Sequence, residues 1–164
     1  MTGPVQLLAW DGRGIGRADP AACSSMGVAL KRMARGMQIL CLQEFHGKEG
    51  EVCALLSGWL PGWRTFHSSC RALDGLELHA SGGVVICVCP QFCRNCVFEE
   101  IVLVPGRCLA VLLTRNDKVL TIYNSHNYGL SADSVSCIRD FVENARSLVA
   151  EDPAGRFAIL IGDI

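Results

Sequence analysis

The side chains best suited to chemistry in this chain stand at the ends of apolar runs: Asp11, Glu44 with His46, Asn124 with His126, and Asp163. Residues two apart on a strand share a face, so Glu44 can align with His46, and Asn124 with His126. Hard oxygen ligands from several strands converging on one rim describe a magnesium site, and imidazoles beside it describe phosphoryl-transfer or hydrolytic chemistry. Layered α/β folds gather ligands where strands finish, because a rigid strand aims the side chain while the following loop leaves room for substrate. Singly, each of these residues is ordinary; their order along the chain is what carries weight. His67 and His79 read as structural histidines.

The elements that must position these groups follow from periodicity. Val5 to Trp10 is a short apolar run that suits a buried strand emptying into the turn-rich "DGRGIG". Asp19 and Pro20 supply an N-cap and a first helical residue, and Cys23, Met26, Leu30, Met33 and Met37 follow on one helical face with Gly36 as a stop. "MQILCLQE" predicts a second strand, and 49–60 a weaker helix interrupted by Gly58 and Pro61. Four strands are expected next: Trp63 to His67, Gly83 to Cys89, Val97 to Val104 and Cys108 to Thr114, the last two joined by a "PGR" turn. "NDKVLTIYNSH" adds a hairpin turn and another strand. Ser131 caps a long helix with core face Val135, Ile138, Val142, Ala145 and Val149, and Phe157 to Ile161 forms the final strand. Strand–helix–strand units at both ends of an antiparallel-looking middle predict an α/β (α+β) sheet system covered by helices.

Composition bounds the rest. With 164 residues, half of them hydrophobic and 19% charged, the chain has material for one core and is unlike a disordered protein. The net charge of −1, from 15 Lys and Arg against 16 Asp and Glu, gives no overall basic field for a polyanion. A local patch of Lys31, Arg32 and Arg35 reads first as a solvated helix face. No basic leader precedes the first apolar stretch, and no apolar run is longer than that of Val84 to Cys89, far short of a bilayer span. The expectation is an intracellular chain with no membrane partner.

Ten cysteines without an export signal, mostly inside apolar patterns, read as small buried hydrophobes and not as a disulfide framework. Cys87, Cys89, Cys93 and Cys96, spaced C-x-C-x3-C-x2-C, allow a zinc knuckle as the competing reading, although the spacing is not that of a standard finger or ribbon.

The succession "LLAWDGRGIG", "ILCLQEFHG", "SGGVVICV", "VPGRCLAVLL", "LTIYNSHNYG" and "AILIGDI" resembles the endonuclease/exonuclease/phosphatase family across essentially the whole chain. Its Leu-Gln-Glu, Gly-Gly-Val, Asn-x-His and Gly-Asp signatures occur in the family's order. The resemblance implies a DNase I-like four-layer αββα sandwich forming a single partial domain over 1–164, with the C-terminal part missing. It implies Glu44 as principal magnesium ligand with Asp11 assisting, manganese being an alternative ion. Asn124 and His126 would contact the scissile phosphate, His126 serving the leaving group, and Asp163 would orient phosphate or attacking water. Nucleic acid is the implied substrate, and a retroelement origin is compatible with the pattern. Inositol phosphates or lipids, or a non-catalytic cysteine-based module, are the alternatives. Two departures stand out: the first motif usually carries Asn where this chain has Asp11, and the Gly-Asp motif is followed only by Ile164. The late Ser-Asp-His segment, with its general base, is absent. The expectation is therefore an inactive or barely active fragment with apolar surface and a strand edge uncovered.

Overall fold

The computed structural model describes residues 5–15, 20–70, 82–127 and 129–162. The chain runs β1 (Leu7–Ile15), α1 (Pro20–Met33), β2 (Ile39–Phe45), α2 (Glu49–Trp59), β3 (Arg64–Ser69), β4 (Gly83–Val88), α3 (Pro90–Cys93), β5 (Val97–Val104), β6 (Cys108–Arg115), β7 (Lys118–Ser125), α4 (Ala132–Glu151) and β8 (Arg156–Gly162). The strands form two four-stranded sheets, ordered β1-β2-β4-β3 and β5-β6-β7-β8. Parallel pairs, β1 with β2 and β7 with β8, lie at one side of each sheet, and every other pairing is antiparallel. Helices bridge the parallel pairs, as a parallel connection requires.

Strand β2 shows why the layers stack as they do. Alternation sends Ile39 and Cys41 into the core between the sheets, with Val84, Ile86, Leu109, Val111 and Ile122. Leu40 and Leu42 point the opposite way, into a second core with Leu30 of α1, Val52 and Leu56 of α2, and Val85 and Cys87 of β4. A strand buried on both faces needs an unbroken apolar run, and "ILCL" supplies it. On the far side α4 covers the second sheet, burying Ile138 completely and setting Phe141 edge-on to Tyr123 at 5.7 Å. The other members of the expected α4 face are only partly covered. The result is an αββα sandwich. Among the described residues, no helix is long and apolar enough to cross a membrane.

The two lateral sides of the sandwich differ. At the β3/β5 side, Phe66 and Phe98 meet at 5.5 Å and the Arg64 guanidinium lies over both rings, closing the gap between sheets. Strand β8 is an edge, and Phe157 and Leu160 on it are 44% and 40% exposed.

Several expectations need correction. The stretch "DGRGI" is not a turn after β1: the strand continues through Asp11 to Ile15. Pairing passes from Asp11↔Gln43 to Ile15↔Phe45, so four residues of β1 span two of β2 in a bulge that keeps the strand on its partner. Asp11 thus lies within β1 and not at its end. A short α3, with Pro90 as its first residue, joins β4 to β5, an element not expected from the sequence. For the cysteines the preferred reading, packing, fits better than the competing zinc knuckle: among the described residues no group of three or more His, Cys, Asp or Glu side chains is placed to hold a metal. Cys87 is packed against α2, and burial pushes its thiol up to about 12. Cys93 and Cys96 instead donate to the carbonyls of Val88 and Phe92. The Asp19 cap, His79, Asp163 and Ile164 lie outside the described residues.

Candidate active site

Glu44 is the centre of a polar cluster at the rim where β2, β6 and β7 meet. Its backbone has φ +55°, a left-handed conformation that non-glycine residues seldom adopt and that costs about 1–3 kcal/mol. The strain turns the carboxylate out of the strand's alternation. His46 Nε2 lies 3.0 Å from Oε2, His126 Nε2 lies 2.8 Å from Oε1, and Arg107 Nη1 lies 3.6 Å from the same Oε1. The carboxylate is 23% exposed, whereas its three partner side chains are 7–15% exposed.

Burial pushes the Glu44 carboxyl up, but the hydrogen bond from His46 and the charges of His126, His46 and Arg107 outweigh it. The net effect holds Glu44 below its ordinary value. An ionised carboxylate has only acceptors, so the imidazole nitrogens facing it carry the hydrogens. Two hydrogen bonds use about half of its roughly four lone-pair sites and leave room for a cation.

Asn124 sits beside this cluster but faces inward. It is completely buried; its Nδ2 donates to the carbonyls of Leu42 and Val85, 2.9 Å each, and its Oδ1 accepts from Gln43 Nε2 at 3.2 Å. Gln43 Nε2 also donates to the Ser125 carbonyl at 2.7 Å. One amide pair therefore bolts β2 and β4 of the first sheet to β7 of the second, directly behind Glu44. The role expected of Asn124, contact with a phosphate, would need an amide that is already engaged in this clamp. His126 follows Asn124 by two residues, as its motif predicts, and emerges just past β7 at the rim.

Of the residues singled out from the sequence, the structure brings Glu44, His46 and His126 together, and places Asp11 one strand away, opposite Gln43. Gly162 pairs with Ser125, so β8 reaches the same end of the sandwich. Arg107 and Gln43 were not singled out for a role in the site. The signal for Arg107 was a lone basic residue in the "PGR" turn, and for Gln43 its place between Leu42 and Glu44 in a motif read only for its carboxylate.

Magnesium is held through one or two carboxylates together with water and substrate phosphate, without a complete protein cage. Glu44, ionised and at the rim, with Asp11 on the adjoining strand, fits that donor chemistry. No ready cage of three ligands exists among the described residues.

No family model matches the sequence, and no curated protein matches it. The structure does match solved ones. An AP endonuclease from Leishmania major superposes with TM-score 0.69 at 15% identity, over 97% of this chain and 54% of that one. A Bacteroides thetaiotaomicron mannosyl-6-phosphatase gives 0.64 at 14% identity, over 98% and 65%. D. rerio TDP2 in complex with single-strand DNA product gives 0.57 at 15% identity, over 97% and 60%. The chain thus spans less than two thirds of the length of these structures. The order of its strands, the two facing sheets and the outer helices give this chain the DNase I-like fold of the endonuclease/exonuclease/phosphatase proteins.

Proposed function

We propose that the chain is a divalent-metal-dependent phosphodiester hydrolase domain of endonuclease type that acts on nucleic acid. The observation that carries this reading is the ionised Glu44 carboxylate at the rim, flanked by His46, His126 and Arg107. Glu44, assisted by Asp11, would hold magnesium or manganese, and the ion supplies Lewis-acid stabilisation of charge on the phosphoryl oxygens. His126 presents an Nε2 hydrogen at the rim, where it can be donated as a hydrogen bond to a leaving oxygen in place of Glu44. Asn124 and Gln43 act from behind, fixing the height of β2 against β7 so that Glu44 and His126 stay in reach. Asp163, carried next after Gly162, is assigned the orientation of phosphate or water.

Turnover by these 164 residues is expected to be slow. Both rim imidazoles are committed to one carboxylate, and hydrolysis gains from a separate base on the attacking water. The DNA-bound TDP2 and AP endonuclease likenesses support nucleic acid as substrate class. The near-neutral charge and the mannosyl-6-phosphatase likeness favour a phosphorylated small molecule as second reading.

Manganese titration followed by water-proton relaxation tests the metal site apart from turnover. Binding is expected, and Glu44→Ala should abolish it; no binding by the wild-type chain overturns the reading. A panel of single-stranded DNA, duplex DNA and sugar phosphate, each with and without magnesium, then separates the two substrate classes. Fast, Glu44-dependent nicking would contradict slow turnover.

A further inference from the structure

We propose that Arg107 is the positioning residue that holds Glu44 and His126 in register across the two sheets; this rests on the hydrolase reading above. Arg107 touches both groups through different atoms. Its main-chain carbonyl accepts the His126 N–H at 2.8 Å, and its guanidinium forms an ion pair with Glu44 Oε1 at 3.6 Å. The same Oε1 lies 2.8 Å from His126 Nε2, so Arg107, His126 and Glu44 close a ring. One residue in the turn just before β6 therefore sets the backbone height of the imidazole and the direction of the carboxylate.

The surrounding structure is built to hold Arg107 still. The turn before it is anchored from β3, where Ser68 Oγ accepts the Gly106 N–H at 2.9 Å, and Arg107 N–H donates to the Val104 carbonyl at 2.9 Å. Arg107 is 9% exposed, so its planar head lies in a slot and not in solvent. The wall of that slot is Gly82, with φ +54°; a Cβ there would strike the guanidinium, meeting Cζ at 2.9 Å and Nη2 at 3.3 Å. A glycine at this position satisfies both its backbone conformation and the close approach of the arginine. The consequence is specific: enlarging residue 82 should act on the site through Arg107. A charge fixed beside a strained carboxylate also opposes its relaxation into ordinary strand geometry, where alternation would carry it away from His126.

The test uses the metal-free chain without substrate, so its outcome is independent of whether the hydrolase reading survives. Imidazole N–H resonances are recorded by 15N–1H spectroscopy, with Glu44→Gln identifying the His126 Nε2–H that bonds to the carboxylate. Arg107→Gln and Gly82→Ala are each expected to move that resonance from its downfield position. Arg107→Lys, which retains the charge, should restore much of it. Gly82→Ala added to Arg107→Gln should change it no further, because the two act on one contact. An unchanged His126 resonance in folded Arg107→Gln overturns the proposal. So does additivity of the two substitutions. Global unfolding of both Arg107→Gln and Arg107→Met would overturn it too, since it would assign Arg107 to holding the fold and not the site.

Discussion

Replacing Asn124 by Ala is a test of what the interior of this site does. The amide makes three hydrogen bonds, two donated to the carbonyls of Leu42 and Val85 and one accepted from Gln43, and it is fully shielded from water. Each such bond has a net worth of about 1 kcal/mol, and the acceptors left behind are buried, so the loss should reach about 3 kcal/mol. That is a large share of the 5–15 kcal/mol typical of a folded domain. At about 2–4 °C per kcal/mol for a chain of this length, the thermal midpoint should fall by about 6–12 °C. Urea unfolding followed by far-UV circular dichroism measures the loss directly, with the slope of the transition as a check that the folded state is unchanged. The competing role, in which the amide faces a phosphate, predicts the reverse pattern: little change in stability and weakened ligand binding. A loss below about 1 kcal/mol with an unchanged slope would refute the clamp. Asn124→Asp sharpens the test, because a buried carboxyl with Gln43 Nε2 on one oxygen and the carbonyls of Leu42 and Val85 facing the other has its pKa raised. Its contribution is intact below the unfolded value of about 3.9 and is lost as pH rises through the folded value, so this variant should weaken towards neutrality.

Two further outcomes follow from the coordinates. Gly27→Ala in α1 would gain about 1 kcal/mol in an open helix, but here the new Cβ meets the Trp59 indole, with Cδ1 and Cε2 at 2.7 Å. Trp59 is itself packed edge-on to Phe45 at 6.3 Å, so overpacking of about 1–3 kcal/mol should dominate, and a raised urea midpoint would contradict this. Glu44, held below its ordinary value, binds fewer protons folded than unfolded; its stabilisation is present above the unfolded value of about 4.3 and lost as pH falls through the folded one. Glu44→Gln should therefore flatten the acid limb of stability in metal-free buffer, and an identical limb in both proteins would count against the ion cluster.

Much of the architecture is written in local pattern. "ILCL" announces a strand buried on both faces, Ser131 caps α4 by accepting the Ser134 N–H at 3.1 Å, and "PGR" joins two antiparallel strands, whose register shifts once beside it, between Val102 and Val104. These features depend on neighbours within a few residues, which periodicity and turn chemistry report. The expected meeting of Glu44 and His46 occurs, but by another route than a shared strand face: Glu44 has a left-handed φ and His46 lies just past β2.

What sequence order could not express is how two sheets seat on each other. Asn124 and Leu42 are 82 positions apart, yet the sandwich sets them 2.9 Å from one another and thereby turns a polar side chain from the rim to the interior. Arg107 became part of the site for the same reason, since the β5–β6 turn lands beside Glu44 only when β6 packs over β3 and β4 and β7 over β2 and β4. Residue types and short spacings determined which groups could do chemistry; the left-handed turn at Glu44 and the height of one sheet over the other decided which of them meet, because contacts between sheets depend on packing summed over whole faces and not on any one segment.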